Sequence, residues 1–174
     1  MYPVIEVRPF TALSEEEQHL VGELEGGEST VDPRFAGYLW AKADWQVVLR
    51  VGGEIVSGAK IVDRVIGVGG LEVRVGGIGD VATARTWRRQ GLATAAMRRV
   101  GDFLCNDLGA DFGLLFCDTH LLPFYGRLGW QRVDGPTMIE VPWGRVPFPE
   151  ETMVLPCRGV LWPGGETDLR GLPW

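Results

Sequence analysis

A single mixed α/β domain with a mostly antiparallel sheet is predicted by three observations. Paired-glycine turns at Gly52-Gly53 and Gly69-Gly70 separate three strand-like runs. An apolar stripe at helical spacing follows those runs, and a short continuous apolar run follows the stripe. The chain has 174 residues, 45% of them hydrophobic, which is enough to bury one medium core and too little for two comfortable ones. One domain spanning residues 1–174 is therefore expected.

Each element has its own signal. Val4 to Arg8 alternates as a short strand, and Ser14 followed by Glu17 forms a capping box opening a helix that should end by Gly26-Gly27. A second helix is expected from Pro33 to Lys42. Gln46 to Val51 and Ile55 to Val65 form a hairpin, and Gly69-Gly70 turns the chain into a strand from Leu71 to Thr83. Leu92, Ala96, Val100, Phe103 and Leu104 place an amphipathic helix from about Gln90 to Leu108. Phe112 to Cys117 suits a buried strand, and a short helix follows, ended by Gly129. Met138 to Val141 and Thr152 to Cys157 are strand-like pieces among Pro142, Pro147 and Pro149. Gly164 to Trp174 has too many turn residues for a regular element, but Leu169, Leu172 and Trp174 are too apolar for a free tail.

Composition excludes several function classes. Seventeen basic residues against twenty-three acidic ones give a formal charge of −6, which disfavours a nucleic-acid partner and suits a cationic small molecule. No apolar run reaches membrane-spanning length, and the start Met1-Tyr-Pro-Val lacks signal-peptide character, so the cytoplasm is the expected compartment. Cys105, Cys117 and Cys157 show no C-x-x-C spacing and make an odd count, so neither a disulfide framework nor a metal site is expected. Cys105 and Cys117 are taken as small buried apolar residues. His120 lies near Cys117, but neighbours at a strand end point apart, which disfavours a Cys/His nucleophilic pair. His19 should face solvent on the acidic first helix. Trp40, Trp45, Trp87, Trp143 and Trp162 are expected in the core or its rim, with one or two open to stacking a sugar or to a homodimer contact.

The stretch Asp80 to Thr94 carries the chemistry. A strand breaks into Arg88-Arg89-Gln90-Gly91, and a helix opens at once. The first backbone N–H groups of a helix lack intrahelical partners, and the macrodipole adds roughly half a positive charge there, so main chain can hold a phosphate. Gly91 permits close approach, Ala93 and Thr94 stay small, and Arg88 and Arg89 stand where cations reach an outer phosphate. The same residues also suit an ordinary solvated helix start.

Arg88-x-x-Gly91-x-Ala93, preceded by Val81-Ala82-Thr83, resembles the acetyl-CoA signature of the GNAT N-acetyltransferases. Leu121 to Trp130 is similar to a second element of that family, in which Tyr125 falls on the tyrosine that protonates the departing CoA thiolate. The resemblance implies a mixed, mostly antiparallel sheet of six to seven strands flanked by about four helices. It also implies acetyl-CoA as cosubstrate. Val81 and Thr83 would offer backbone groups to the pantetheine arm, and Arg88, Arg89, Gln90, Gly91, Leu92, Ala93 and Thr94 would hold the pyrophosphate.

A third stretch bears on the acceptor. Val133 to Thr137, Glu150 to Pro156 and Asp168 to Trp174 resemble the C-terminal part of the aminoglycoside 2′-N-acetyltransferases, which implies an aminoglycoside acceptor and antibiotic resistance. Asp32, Asp118, Glu151 and the Trp174 carboxylate would be acceptor ligands, and Asp80 or Asp118 would take the amine proton through water. Those enzymes resemble this chain with a glutamate where Gly79 stands, so Asp80 replaces that base only if the strand bulges there, because a one-residue shift flips a side chain to the other face. Other acceptors, such as a peptide N-terminus, a polyamine or a small metabolite, remain open, as does a non-catalytic acyl-CoA-binding module.

Overall fold

The computed structural model describes residues 2–24 and 32–174. In chain order it contains β1 (Val4–Pro9), α1 (Glu15–Glu23), β2 (Trp45–Val51), β3 (Glu54–Val68), β4 (Leu71–Thr83), α2 (Leu92–Asp102), β5 (Phe112–Cys117), α3 (Leu122–Gly126), β6 (Gln131–Arg132), β7 (Thr137–Val141), β8 (Gly144–Pro147), β9 (Glu151–Pro156) and β10 (Thr167–Asp168). The expected mixed α/β class is what forms. Among the described residues there are ten strands and three α-helices, because the β7–β8 hairpin and the two-residue pieces β6 and β10 join the same sheet.

β1 to β4 form an antiparallel meander, β5 adds to β4 in parallel, and β9 returns antiparallel to β5. β3 is long enough to serve two neighbourhoods: its first half pairs with β2, and its last residues, Gly67 and Val68, pair with β10. α2 fills the crossover from β4 to β5, as a parallel pair requires. Its buried residues Leu92, Ala96, Met97 and Val100 continue the same core as Phe103 and Leu104.

Glycines inside β4 set how closely other elements lie on it. A Cβ at Gly76 would stand 2.2 Å from Leu104, which follows α2, whereas one at Gly77 would stand 2.1 Å from the Trp174 indole. Successive residues face opposite sides, so these two positions admit a helix segment on one face and the C-terminal tryptophan on the other. No helix among the described residues is long and apolar enough to cross a membrane.

Several expectations are corrected. The helix expected over Pro33 to Lys42 is a single 3-10 turn, Pro33–Phe35. Gly37 then adopts φ +77, and Phe35, Tyr38 and Trp40 pack around Phe148. Aromatic packing on Phe148, far along the chain, outweighs local helix propensity there. The helix expected to Leu108 is α-helical to Asp102 and continues as a π-helical turn, Phe103–Leu108. Cys105 and Cys157 are joined as a disulfide with Cα atoms 4.8 Å apart, while Cys117 is a buried free thiol. The odd count concealed one pair and one bystander. The C-terminal stretch is more regular than expected, since β10 bridges β3 and β7, and Leu169 is fully buried. α1 has the capping box foreseen, but Gly26-Gly27 lie outside the described residues.

Candidate active site

A parting of β4 from β5 makes the site. Their parallel pairing runs from Val75 opposite Phe112 to Ile78 opposite Leu115 and then stops. Just beyond, Lys60 pairs with Gly79 and Gly58 with Ala82, so Asp80 and Val81 together stand against the single residue Ala59. This is a β-bulge, with Asp80 at φ +50, a conformation aspartate tolerates better than most residues. Bulges bend a strand, and here a cleft of about 200 Å³ opens, lined by Gly79, Asp80, Val81, Phe116, Cys117, Asp118, Tyr125 and Glu150.

The bulge also decides which backbone groups face that opening. The Ala82 carbonyl accepts from Ser57 Oγ at 2.8 Å and the Ala84 N–H donates to the Val56 carbonyl at 2.9 Å, so both turn toward β3. By the alternation of an antiparallel strand, the N–H and C=O groups of Val81 and Thr83 face the side that β5 has left. Thr83 spends its carbonyl on Arg88 Nε at 2.9 Å and its hydroxyl on Ser57 at 2.8 Å. By the same alternation Val81 presents its main-chain groups to the open side.

Next to this edge, a cavity of about 300 Å³ is lined by Thr83, Trp87, Arg88, Arg89, Gly91, Leu92, Ala93 and Thr94. Gly91 is the N-cap of α2 at φ +78 and offers no side chain to the helix, so the N–H groups of the first turn are unspent. Arg89 is also left-handed, at φ +63. Such turns converge successive N–H groups into an anion-binding hollow. A Cβ built on Gly91 meets nothing within 4 Å, so the approach is clear. The Leu92 side chain is buried in the core, Gln90 is exposed beside the turn, and the Arg88 side chain is anchored on Thr83. These features fit a diphosphate: an electropositive helix start, left-handed backbone, small residues and a fixed guanidinium.

Tyr125 lies in the cleft on α3, packed against Phe124 and Trp130 at 4.9 and 6.4 Å between ring centres. Burial pushes its phenol up to about 12, so it is a neutral O–H at neutral pH and a proton donor. Burial likewise pushes the Cys117 thiol up to about 11, which removes it as a nucleophile. His120 is exposed on the following turn. The cleft thus offers a proton donor and carboxylates with no activated nucleophile, an arrangement suited to direct transfer between two bound substrates.

The mouth of the cleft is acidic. A neighbouring cavity of about 200 Å³ shares Cys117, Asp118 and Glu150 with it and adds Arg34, Thr119, Pro149 and Glu151. Arg34 reaches Asp32 at 2.6 Å, Asp118 at 3.1 Å and Glu150 at 3.6 Å. Hydrogen bonds from the Arg34 side chain and backbone hold the Asp32 carboxyl below the usual range. Burial, reinforced by Asp118, raises that of Glu150. Glu151 turns aside to Arg132 Nε at 2.7 Å while still lining the outer cavity. Asp80 pairs with Lys60 Nζ at 3.2 Å. The Trp174 indole is buried and donates to the Leu114 carbonyl at 3.2 Å. A Cβ on Gly79 would lie 2.8 Å from the Trp174 carbonyl carbon and 2.7 Å from Lys60 Cε, so a side chain at position 79 has no room.

The structure therefore gathers Asp80, Val81, Asp118 and Tyr125 around one cleft, sets Arg88 to Thr94 beside it, and brings Asp32 to its mouth through Arg34. Three residues at or beside the cleft were not singled out by sequence reasoning: Glu150, Arg34 and Lys60. Of the Glu150-Glu151 pair, sequence reasoning named Glu151, whereas Glu150 is the one that lines both the cleft and the outer cavity. Arg34 and Lys60 carry no sequence signal.

A family model described as an acetyltransferase (GNAT) domain matches residues 27–133. No curated protein matches the sequence at a significant level. Among solved structures, the chain is similar to an acyl-CoA N-acyltransferase from Pseudomonas aeruginosa, at 17% identity and TM-score 0.62, covering 88% of this chain and 99% of that one. It is similar to the GNAT family N-acetyltransferase YhbS from Escherichia coli in complex with CoA, at 19% identity and TM-score 0.56, covering 96% of this chain and 89% of that one. Similarity to a GCN5-related N-acetyltransferase from Kribbella flavida, at 21% identity and TM-score 0.55, covers 74% of this chain but only 34% of that longer one. At these identities the likeness is one of fold.

Proposed function

Because the chain belongs to the GNAT acetyltransferase family, we propose that it transfers an acetyl group from acetyl-CoA to a primary amine of a small cationic acceptor, the 2′-amine of an aminoglycoside-type amino sugar. The observation that carries the transfer reaction is the conjunction of two backbone features: the bulge that parts β4 from β5, and the uncapped start of α2 beside it. Acetyl-CoA brings an activated acyl group as a thioester. Val81 pairs with its pantetheine amides as a strand would, and the N–H groups from Arg89 to Thr94 hold the diphosphate, with Arg88 as counter-charge.

The acceptor amine loses its proton to solvent or, through water, to Asp80 or Asp118. Its nitrogen attacks the acetyl carbonyl carbon, a C–N bond forms and the C–S bond breaks. The attacking nitrogen, positively charged once the C–N bond forms, releases its second proton to water, while Tyr125 gives its proton to the departing sulfur and is reprotonated from that water, so no covalent enzyme intermediate is needed. Acidic groups at the mouth, Asp118, Glu150 and Glu151, favour a cation, and Phe116 in the cleft wall offers an aromatic contact to a sugar ring. The Trp174 main chain over Gly79 supports its assignment as an acceptor contact. The proposed compartment is the cytoplasm, where acyl-CoA is available.

The test is to incubate the protein with acetyl-CoA and aminoglycosides, polyamines or peptide N-termini, and to read by mass spectrometry the gain of one acetyl group. Acetylation of an aminoglycoside at its 2′-amine is the expected result. Heat on mixing with acetyl-CoA but no modified amine would favour a binding module, and neither would overturn the reading.

A further inference from the structure

Resting on the acetyl-transfer reading, in which the acceptor's proton passes through water to a carboxylate, we infer that Lys60 is a positioning residue. Its buried ammonium holds one oxygen of Asp80 and leaves the other for the water that carries the proton. Of the two carboxylates open to that role, Asp80 is then the one used.

Lys60 stands where packing alone calls for an apolar side chain. Every residue of β3 from Ile55 to Val62 is buried, and Lys60 is the one charged residue among them, with its side chain 10% exposed. Withdrawing an ammonium from water is costly, and a packed apolar residue of similar volume is often as stable or more so. The charge therefore asks for a reason outside the core. Among the described residues its partner is Asp80, with Nζ 3.2 Å from Oδ2.

The two residues meet across the bulge. Lys60 is paired with Gly79, the last residue before Asp80 and Val81 crowd against Ala59. Its Cε lies 2.7 Å from the point where a Cβ on Gly79 would stand, so the stem runs flat over the glycine and the ammonium arrives beside Asp80. Asp80 lines both the cleft that holds Tyr125 and a second cavity of about 240 Å³, bordered also by Lys60, Gln46 and Gln18. Lys60 lines only the second, so its ammonium reaches the carboxylate from outside the cleft.

Direction, rather than stability, is what such a pair supplies. Asp80 is 63% exposed, and an ion pair open to water is worth little to the fold. A carboxylate free to rotate, however, samples several rotamers and faces a given water in only some of them. Lys60 restricts that choice, since its packed stem keeps the ammonium in one place. With Oδ2 held, Oδ1 is left to accept a hydrogen bond from a water in the cleft. The amine then gives its proton to that water as the water gives one to Oδ1, which is the one-water reach that a general base allows.

The experiment is a double-mutant cycle on the parent, Lys60→Met, Asp80→Asn and the double variant. It reads kcat and KM from CoA release with acetyl-CoA and either tobramycin, a 2′-amino aminoglycoside, or putrescine. Methionine fills the path of the stem, and the partner left behind is exposed, so no charge is stranded in the core and Tm should hold. Lys60→Met should lower kcat by about 10-fold to 10²-fold, the cost of a misdirected group, with KM for acetyl-CoA and calorimetric affinity for CoA unchanged. In the Asp80→Asn background the same substitution should cost nothing further, because no carboxylate remains to be directed. Equal losses in both backgrounds, or no loss in the parent background, overturn the inference and leave acetyl transfer standing. An Asp80→Asn variant that keeps the parent's kcat does the same. No CoA released by the parent from either amine overturns the acetyl-transfer reading, and the inference with it.

Discussion

In the proposed reaction Tyr125 delivers a proton to a departing sulfur, and its surroundings suit that task. Its burial in the cleft pushes the phenol up to about 12. The sign follows: the donor form is complete at neutral pH and is lost only as pH rises through that value. Tyr125→Phe should lower kcat by roughly 10² to 10⁴, the usual worth of a general acid, with the loss nearly constant from about pH 6 to about pH 10. Unchanged turnover in a pH–rate series would remove the tyrosine from the reaction. Tyr125 was legible because its neighbours, Leu121 to Trp130, form a recognisable local pattern. The mouth residues were not. Arg34 and Asp118 are 84 positions apart and meet only because an aromatic cluster folds the segment after Asp32 against Phe148. Asp80 was legible conditionally: sequence could state that a bulge was required, and only the register of β3 against β4 supplies it.

At the scale of elements, the start of α2 is where sequence and structure agree most closely, because every feature there is local. Gly91 at φ +78 is forced by the turn, and the apolar stripe from Leu92 to Leu104 is forced by the core beneath it. The turn from Pro33 to Phe35 shows the opposite case, since its outcome was set by partners far along the chain. Substituting Gly91→Ala tests the helix start. A left-handed alanine costs about 1–2 kcal/mol, so the fold should survive. The added methyl would nevertheless project into the open approach above the free N–H groups. Calorimetric affinity for CoA should fall by roughly tenfold or more, which is about 1.4 kcal/mol. A variant that binds CoA as tightly as the parent would move the diphosphate elsewhere.

Across the whole molecule, one covalent link crosses between elements far apart in sequence. Cys105 sits in the π-helical turn after α2, and Cys157 follows β9, 52 positions further along the chain. Between them lie β5, α3 and the β7–β8 hairpin, with Tyr125 on α3, Asp118 just after β5 and Glu150 just before β9. The link therefore closes a loop around half of the cleft, whereas the diphosphate hollow at Arg88 to Thr94 lies outside it. Closing a loop of this length removes freedom from the unfolded chain, typically stabilising by about 2–4 kcal/mol. For a domain of this size each kcal/mol moves Tm by roughly 2–4 °C, so reduction should lower Tm by about 4–16 °C. Cys157→Ser should match the reduced parent and show no response to reductant. Cys117, buried with its thiol pushed up to about 11, should contribute nothing to the difference. CoA affinity should change little, because the hollow proposed for the diphosphate is built on β4 and the start of α2. Equal melting of oxidised and reduced protein, with the bond confirmed by mass, would show that the unfolded chain is already confined without it.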